Sequence, residues 1–179
     1  MDRQPHLEGG SVRLRPMQES DFDRLFAVAQ DRELWAQHPV NDRWEEPVFR
    51  SFFEDAMRSG GALVLEDRET GDIIGSTQLR PHSLDLAEME IGWTFVARSR
   101  WGSGSNREMK KLLVGYALEE MPRVLFRVGE HNLRSRAAME KIGARLLDVV
   151  ERTEFRGSEV VHVVYEITRD DFASGPLSS

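Results

Sequence analysis

A chain of 179 residues, 40% hydrophobic and 31% charged, suits one soluble domain with its own core. It contains no cysteine, which excludes a disulfide framework, a thiolate nucleophile and any Cys-ligated metal, and is compatible with a cytoplasmic location. A net charge of −7 without a basic block gives nucleic-acid binding no support, no apolar run approaches a membrane span, and the polar residues 1–8 lack a signal-peptide apolar region.

Residues 1–8 read as a loose tail. Val12 and Leu14 alternate with Arg13 and Arg15 in a short strand that stops at Pro16. Ser20 with Asp23 resembles a capping box, and Phe22, Leu25, Phe26 and Ala29 then line one helix face. A second helix starts at Pro47, carries Phe49, Phe52, Phe53 and Ala56 on one face, and ends at Gly60-Gly61. Residues 34–46 between them hold Trp35, His38, Pro39 and Trp44, either packing a loop onto the core or walling a substrate pocket. Strands follow over 62–66, 73–79 and 88–96, and a short buried one over 124–128. Asn132 caps a short helix closed by Gly143. Residues 146–155 and 160–167 form a terminal hairpin through Arg156-Gly157-Ser158, and 173–179 read as a second tail.

The segment between the strand at 88–96 and the next helix reads Arg98-Ser99-Arg100-Trp101-Gly102-Ser103-Gly104-Ser105-Asn106. Met109, Leu112, Leu113, Tyr116 and Ala117 then set the helix face predicted to be buried. The free N–H groups and positive dipole end of its first turn suit a phosphate or pyrophosphate. An ordinary turn before a helix is equally consistent with these residues alone. A P-loop is excluded because no Gly-x-x-x-x-Gly-Lys-Ser/Thr string exists, and Arg107 stands where a dinucleotide fingerprint needs its third glycine. The order β-α-α-β-β-β-α-β-α-β-β predicts a mixed sheet of about seven strands in one α/β domain, with helices on both faces and one right-handed parallel crossover around the glycine loop.

Taken together and in order, these segments resemble the GCN5-related N-acetyltransferase family, in particular its ribosomal-protein-alanine (RimJ/RimL-like) branch. The likeness runs from Leu7-Glu8-Gly9 to about Phe172. Val12-Arg13-Leu14-Arg15-Pro16 resembles the family's first strand, and Glu90-Ile91-Gly92-Trp93 its fourth. Trp101-Gly102-Ser103-Gly104-Ser105-Asn106 occupies its pyrophosphate loop, usually Gln/Arg-x-x-Gly-x-Gly/Ala. Asn132-Leu133-Arg134-Ser135, continuing to Glu140-Lys141-Ile142-Gly143, is similar to the branch's Asn-x-x-Ser…Glu-Lys-Leu-Gly. Trp101 and Asn106 depart from the loop pattern; the first takes away the usual hydrogen-bonding side chain and the second adds bulk. Met139 replaces the tyrosine acid of many other branches.

The resemblance implies transfer of an acetyl group from acetyl-CoA to a primary amine, on a peptide N-terminus or a small molecule, by direct attack in a ternary complex. It implies no metal, and a homodimer is compatible with it. Arg100, Trp101, Gly102, Ser103, Gly104, Ser105 and Asn106 would hold the pyrophosphate, the strand near Phe95 and Val96 the pantetheine arm, and Asn132 the arm near the thiol. Ser135 would serve the leaving thiolate. Glu154 matches a glutamate proposed as base in the branch, with Glu90 its rival; both otherwise read as solvated strand carboxylates. His131 and His162 are further candidates that read first as structural. Trp35, His38 and Trp44 would face the acceptor. A non-catalytic CoA-binding sensor or scaffold and an unrelated nucleotide-binding module are the alternatives.

Overall fold

The computed structural model describes residues 1–83 and 88–178. Its strands are β1 (Leu7–Glu8), β2 (Val12–Pro16), β3 (Ala62–Asp67), β4 (Ile73–Ser83), β5 (Glu88–Val96), β6 (Arg123–Gly129), β7 (Arg145–Phe155) and β8 (Ser158–Thr168). Its helices are α1 (Phe22–Ala29), α2 (Glu46–Ser59), α3 (Ser105–Glu120), α4 (Leu133–Lys141) and α5 (Arg169–Ser174). The strands form one mixed sheet in the order β1-β2-β3-β4-β5-β6-β8-β7. Alternation along β3 divides the core: Leu63 and Leu65 join the cluster containing Met109, Leu113 and Ala117 of α3, while Ala62 and Val64 join that of Leu25, Phe49 and Phe53 from α1 and α2.

The parallel pairing of β5 with β6 extends only over Met89↔Val124 and Glu90↔Leu125. Beyond Glu90 the two strands part, and β5 keeps a partner only on its β4 side. A bulge lies at the same place. The β4–β5 register shifts between Ser76 and Gln78, and Trp93 opposite takes a φ of 52°, a left-handed conformation that bulky residues rarely adopt. The split therefore opens a gap in the middle of the sheet.

Four expectations change. The sheet has eight strands rather than about seven, because Leu7–Glu8 pairs with β2. The first residues are anchored instead of loose: the Met1 ammonium lies 2.8 Å from Glu120, and Arg3 donates to the Ser59 carbonyl at 2.8 Å. The C-terminal stretch is also packed, with α5 reaching Ser174 and Leu177 fully buried; Ser179 lies outside the described residues. Finally, α3 is rotated from the predicted face. It buries Met109, Lys110, Leu113, Val114, Ala117 and Leu118, leaving Leu112 and Tyr116 partly exposed, because its contacts include a lysine that a polarity pattern turns outward.

Candidate active site

A cleft of about 430 Å³ starts at the N-terminus of α3 and runs along the gap between β5 and β6. Gly102 and Gly104 have φ values of 75° and 91°, and a Cβ built at either would meet nothing within 4 Å. The glycines are therefore required by backbone conformation, and the space over the loop is open to a ligand. Arg100, Trp101, Gly102, Gly104, Asn106 and Arg107 line this end. The Ser103 and Ser105 hydroxyls lie 2.9 Å apart and brace the loop, with Ser103 also donating to the Arg100 carbonyl at 2.6 Å. Arg100 is ion-paired to Asp67 at 2.7 Å. The first-turn N–H groups of α3 have no partner inside the helix and the dipole is positive there, so this end fits a pyrophosphate.

Trp101 does not remove a hydrogen-bonding side chain, because its indole N–H donates to the Val96 carbonyl at 2.9 Å. The Arg134 guanidinium stacks 3.9 Å from the centre of the same ring. Deeper in the cleft, the side-chain oxygen of buried Asn132 accepts from the Ser135 N–H at 3.2 Å and caps α4. The Ser135 side chain lines the cleft, and its hydroxyl has no hydrogen-bond partner among the described residues. Phe95 directs its ring into the α1–α2 cluster, so its backbone is what it offers to the gap.

Lys110 is the residue that sequence reasoning missed. Only 3% exposed, it reaches from α3 across the split, with Nζ 3.3 Å from Thr94 Oγ1 on β5 and 5.1 Å from the centre of the Phe126 ring on β6. Burial pulls its pKa down to about 7, against a smaller upward pull from Glu90. Thr94 in turn shares a 2.8 Å hydrogen bond with Thr77.

A second cavity of about 400 Å³ lies between the loop after Trp35, α2 and the tip of the β7–β8 hairpin. His38, Pro39, Trp93, Arg127 and His162 line both cavities and mark where they meet. Both oxygens of Glu90 accept from Arg127 Nε at 2.9 Å, and His82 lies 3.6 Å from Glu90. Nδ1 of His162 is buried and has no hydrogen-bond partner among the described residues. Burial, and then the charge of Arg127, lower the pKa of His162, so it is neutral at physiological pH. Burial and the Arg43 charge hold His38 down to about 3. Its Nδ1 lies 2.9 Å from the Val40 N–H and 3.1 Å from the Val40 carbonyl, and its Nε2 lies 3.2 Å from Arg43 Nη1; with Nδ1 protonated the ring serves the carbonyl and accepts from Arg43, and with Nε2 protonated it accepts from the Val40 N–H instead.

The structure brings Asn132, Ser135, Glu90, Trp35, His38 and the glycine loop to the two cavities. It does not bring Glu154 there: Thr153 and Phe155 face the second cavity, and strand alternation turns exposed Glu154 to the opposite side. Trp44 lines neither cavity and lies under Arg32, 5.4 Å away. Trp35 is a core residue, 2% exposed, whose indole N–H donates to the Ala29 carbonyl at 2.8 Å and whose ring packs on Phe95; its edge reaches the first cleft, not the second cavity. His131 is a surface residue beside Glu130.

Comparison with known proteins agrees with this geometry. Residues 11–145 match the acetyltransferase (GNAT) domain family. An uncharacterised protein of Bacillus subtilis, YkkB, is 25% identical over 150 residues, covering 80% of this chain and 87% of that protein. A GCN5-related N-acetyltransferase from Brucella melitensis superposes with a TM-score of 0.82 at 18% identity, covering 96% of this chain and 81% of that one. Mycobacterium smegmatis RimJ in complex with CoA-disulfide superposes with a TM-score of 0.70 at 20% identity, covering 94% of this chain and 87% of that one. A domain match over most of the chain, on a sheet split at a glycine-loop helix, shows that this protein belongs to the GNAT family of acetyltransferases, which draw on acetyl-CoA.

Proposed function

We propose that the protein transfers the acetyl group of acetyl-CoA to a primary amine, on a peptide N-terminus or a small molecule, by direct attack in a ternary complex. The observation that carries this reading is the meeting of the two cavities at His38, Pro39, Trp93, Arg127 and His162. One cavity begins at a phosphate-suited helix end; the other reaches the same point from the opposite side. A thioester in the first and an amine in the second would come into contact at that junction.

In this reading, backbone N–H groups of 102–106 hold the pyrophosphate, and the pantetheine arm lies along the unpaired edge of β5 near Phe95 and Val96. The amine nitrogen attacks the thioester carbonyl, the C–S bond breaks, and CoA leaves as a thiolate that takes up a proton. The unpartnered Ser135 hydroxyl supports a role in hydrogen-bonding that sulfur. The amine must lose a proton. Glu90 is occupied by Arg127, whereas neutral His162 lines both cavities where they meet, which favours His162 as the acceptor of that proton. The Asn132…Ser135 motif supports a place in the RimJ/RimL-like branch, and a cytoplasmic enzyme fits it.

Differential scanning fluorimetry with acetyl-CoA, followed by CoA release across an amine panel, tests the reading. A melting temperature that rises with ligand concentration is expected, together with amine-dependent CoA release. No thermal shift at saturating acetyl-CoA overturns it. Binding with no release for any amine would favour a sensor or scaffold.

A further inference from the structure

The charges in the wall of the second cavity are paired with one exception. Asp55 is held by Arg80 at 2.6 Å, Glu90 by Arg127 at 2.9 Å, and Arg156 by Asp42 at 2.6 Å. Arg43 has no carboxylate within ion-pair distance among the described residues; the charges of Asp42 and Asp55 reach it only from further off, each being engaged by another arginine. The Arg43 guanidinium sits 4.5 Å from the centre of the Phe52 ring and 5.5 Å from that of Trp35, and among the described residues its one polar contact is His38 Nε2 at 3.2 Å, a hydrogen bond when the ring carries its proton on Nδ1. One acceptor atom uses one of the five N–H donors that a guanidinium carries. A half-buried, desolvated cation left this way is costly unless something completes it.

We propose that Arg43 is the anchor for a carboxylate on the acceptor, so that the substrate is an amine bearing a carboxylate close to its amino group. A guanidinium with an open fork is suited to a planar oxyanion, which it can bind with two parallel hydrogen bonds. Arg43 and the junction residues His162 and Arg127 line the same cavity, so one compact molecule can reach both. Its volume, about 400 Å³, lies at the small end of the range for small-molecule sites. With Arg127 and Arg156 neutralised by Glu90 and Asp42, Arg43 is the wall's one uncompensated cation, and it disfavours a second cation beside it. A carboxylate-bearing amine enters with its charge compensated by the group that Arg43 holds. A polyamine has no such group. The whole chain is acidic at −7, so this uncompensated cation is a local property of the cavity and not a reflection of composition.

This inference rests on the acetyltransferase reading, and the experiment separates the two. CoA release is measured with free amino acids against their amides, and with short peptides carrying Asp or Asn at the second position, rates being expressed per free-base amine. A preference of roughly 10- to 100-fold in kcat/KM for the acid member of a pair is expected, the weight of a charge-assisted hydrogen-bond pair. The pair that shows it tells whether the carboxylate belongs to a free amino acid or to a peptide. Arg43→Gln should collapse the preference towards one, and Arg43→Lys should keep part of it. The acetyl-CoA thermal shift of each variant reports that it is folded. Equal rates for acid and amide in both sets, or a preference that survives in Arg43→Gln, overturn the anchor while leaving acetyl transfer intact. Absence of acetyl-CoA binding in the unmodified protein overturns both.

Discussion

The indole N–H of Trp101 donates to the carbonyl of Val96 at 2.9 Å, closing the end of β5 with a side chain from the glycine loop. The bond ties the loop to the strand edge proposed to carry the pantetheine arm, and Arg134 covers the outer face of the ring. Trp101→Ala removes both contacts. It should weaken acetyl-CoA binding about three- to tenfold, roughly 0.6–1.4 kcal/mol, as read by calorimetry. Trp101→Gln keeps a donor at the same place and should recover part of the loss. Unchanged affinity in Trp101→Ala would mean that the loop holds its shape without this tie.

Lys110 gives a pH signature. Its folded pKa is about 7, against an ordinary value of 10.5. Between those values the unfolded chain holds a proton that the folded chain has released, so stability rises with pH across that window. Below about pH 7 both states are protonated and the folded state bears the full cost of a buried ammonium. Lys110→Met should therefore stabilise the protein most at pH 6, by an amount on the order of several kcal/mol, and the gain should shrink as pH approaches 10. Urea melts of both proteins at several pH values check this. A gain independent of pH would show that Lys110 costs packing and not charge.

Trp35 was expected at the acceptor site and instead holds the α1–α2 cluster together. Its hydrogen bond to Ala29 and its packing on Phe95 are both internal. Trp35→Ala should cost roughly 3–5 kcal/mol of stability, in line with large-to-small changes in a core. Trp35→Phe should retain most of the packing while losing the hydrogen bond, and it should raise the KM of acetyl-CoA at least as much as that of the amine, because the ring edge lies on the first cleft. An effect confined to the amine KM would return Trp35 to the acceptor wall.

The strand alternation of Val12 and Leu14, the Phe-rich faces of α1 and α2, and the strand–glycine-loop–helix unit were legible because period and turn chemistry are local properties of a sequence. The second cavity was mostly not. Arg43 from the segment before α2, Trp93 from β5, Arg127 from β6 and His162 from β8 line it together only because of the sheet order. Lys110 in the first cleft was hidden too: next to Lys111 it reads as a solvent-facing residue, since polarity patterns cannot show that a long stem will point inward. Glu154 illustrates the opposite case. A carboxylate at the expected separation from Ser135 was visible in the sequence, but facing is decided by strand parity, and its neighbours Thr153 and Phe155 hold the inward positions.

The choice of base remains the sharpest test of the junction. Three single substitutions in one assay compare the candidates: His162→Gln, Glu90→Gln and Glu154→Gln. If His162 takes the amine proton, His162→Gln should lower kcat by roughly 10²–10⁴-fold while acetyl-CoA binding is kept. Because burial and Arg127 lower the pKa of His162, the unmodified enzyme should keep this base unprotonated to below the ordinary histidine range, and the acidic limb of its kcat profile should disappear in His162→Gln. Glu90→Gln removes the charge that both oxygens share with the Arg127 Nε–H and should reduce both stability and rate, without removing that limb. Exposed Glu154 should tolerate the change to Gln with a near-normal rate. A large loss confined to Glu90→Gln moves the base to β5, and one confined to Glu154→Gln moves it to β7. Near-normal rates in all three would mean that the free-base fraction of the amine suffices and that positioning at the junction carries the catalysis.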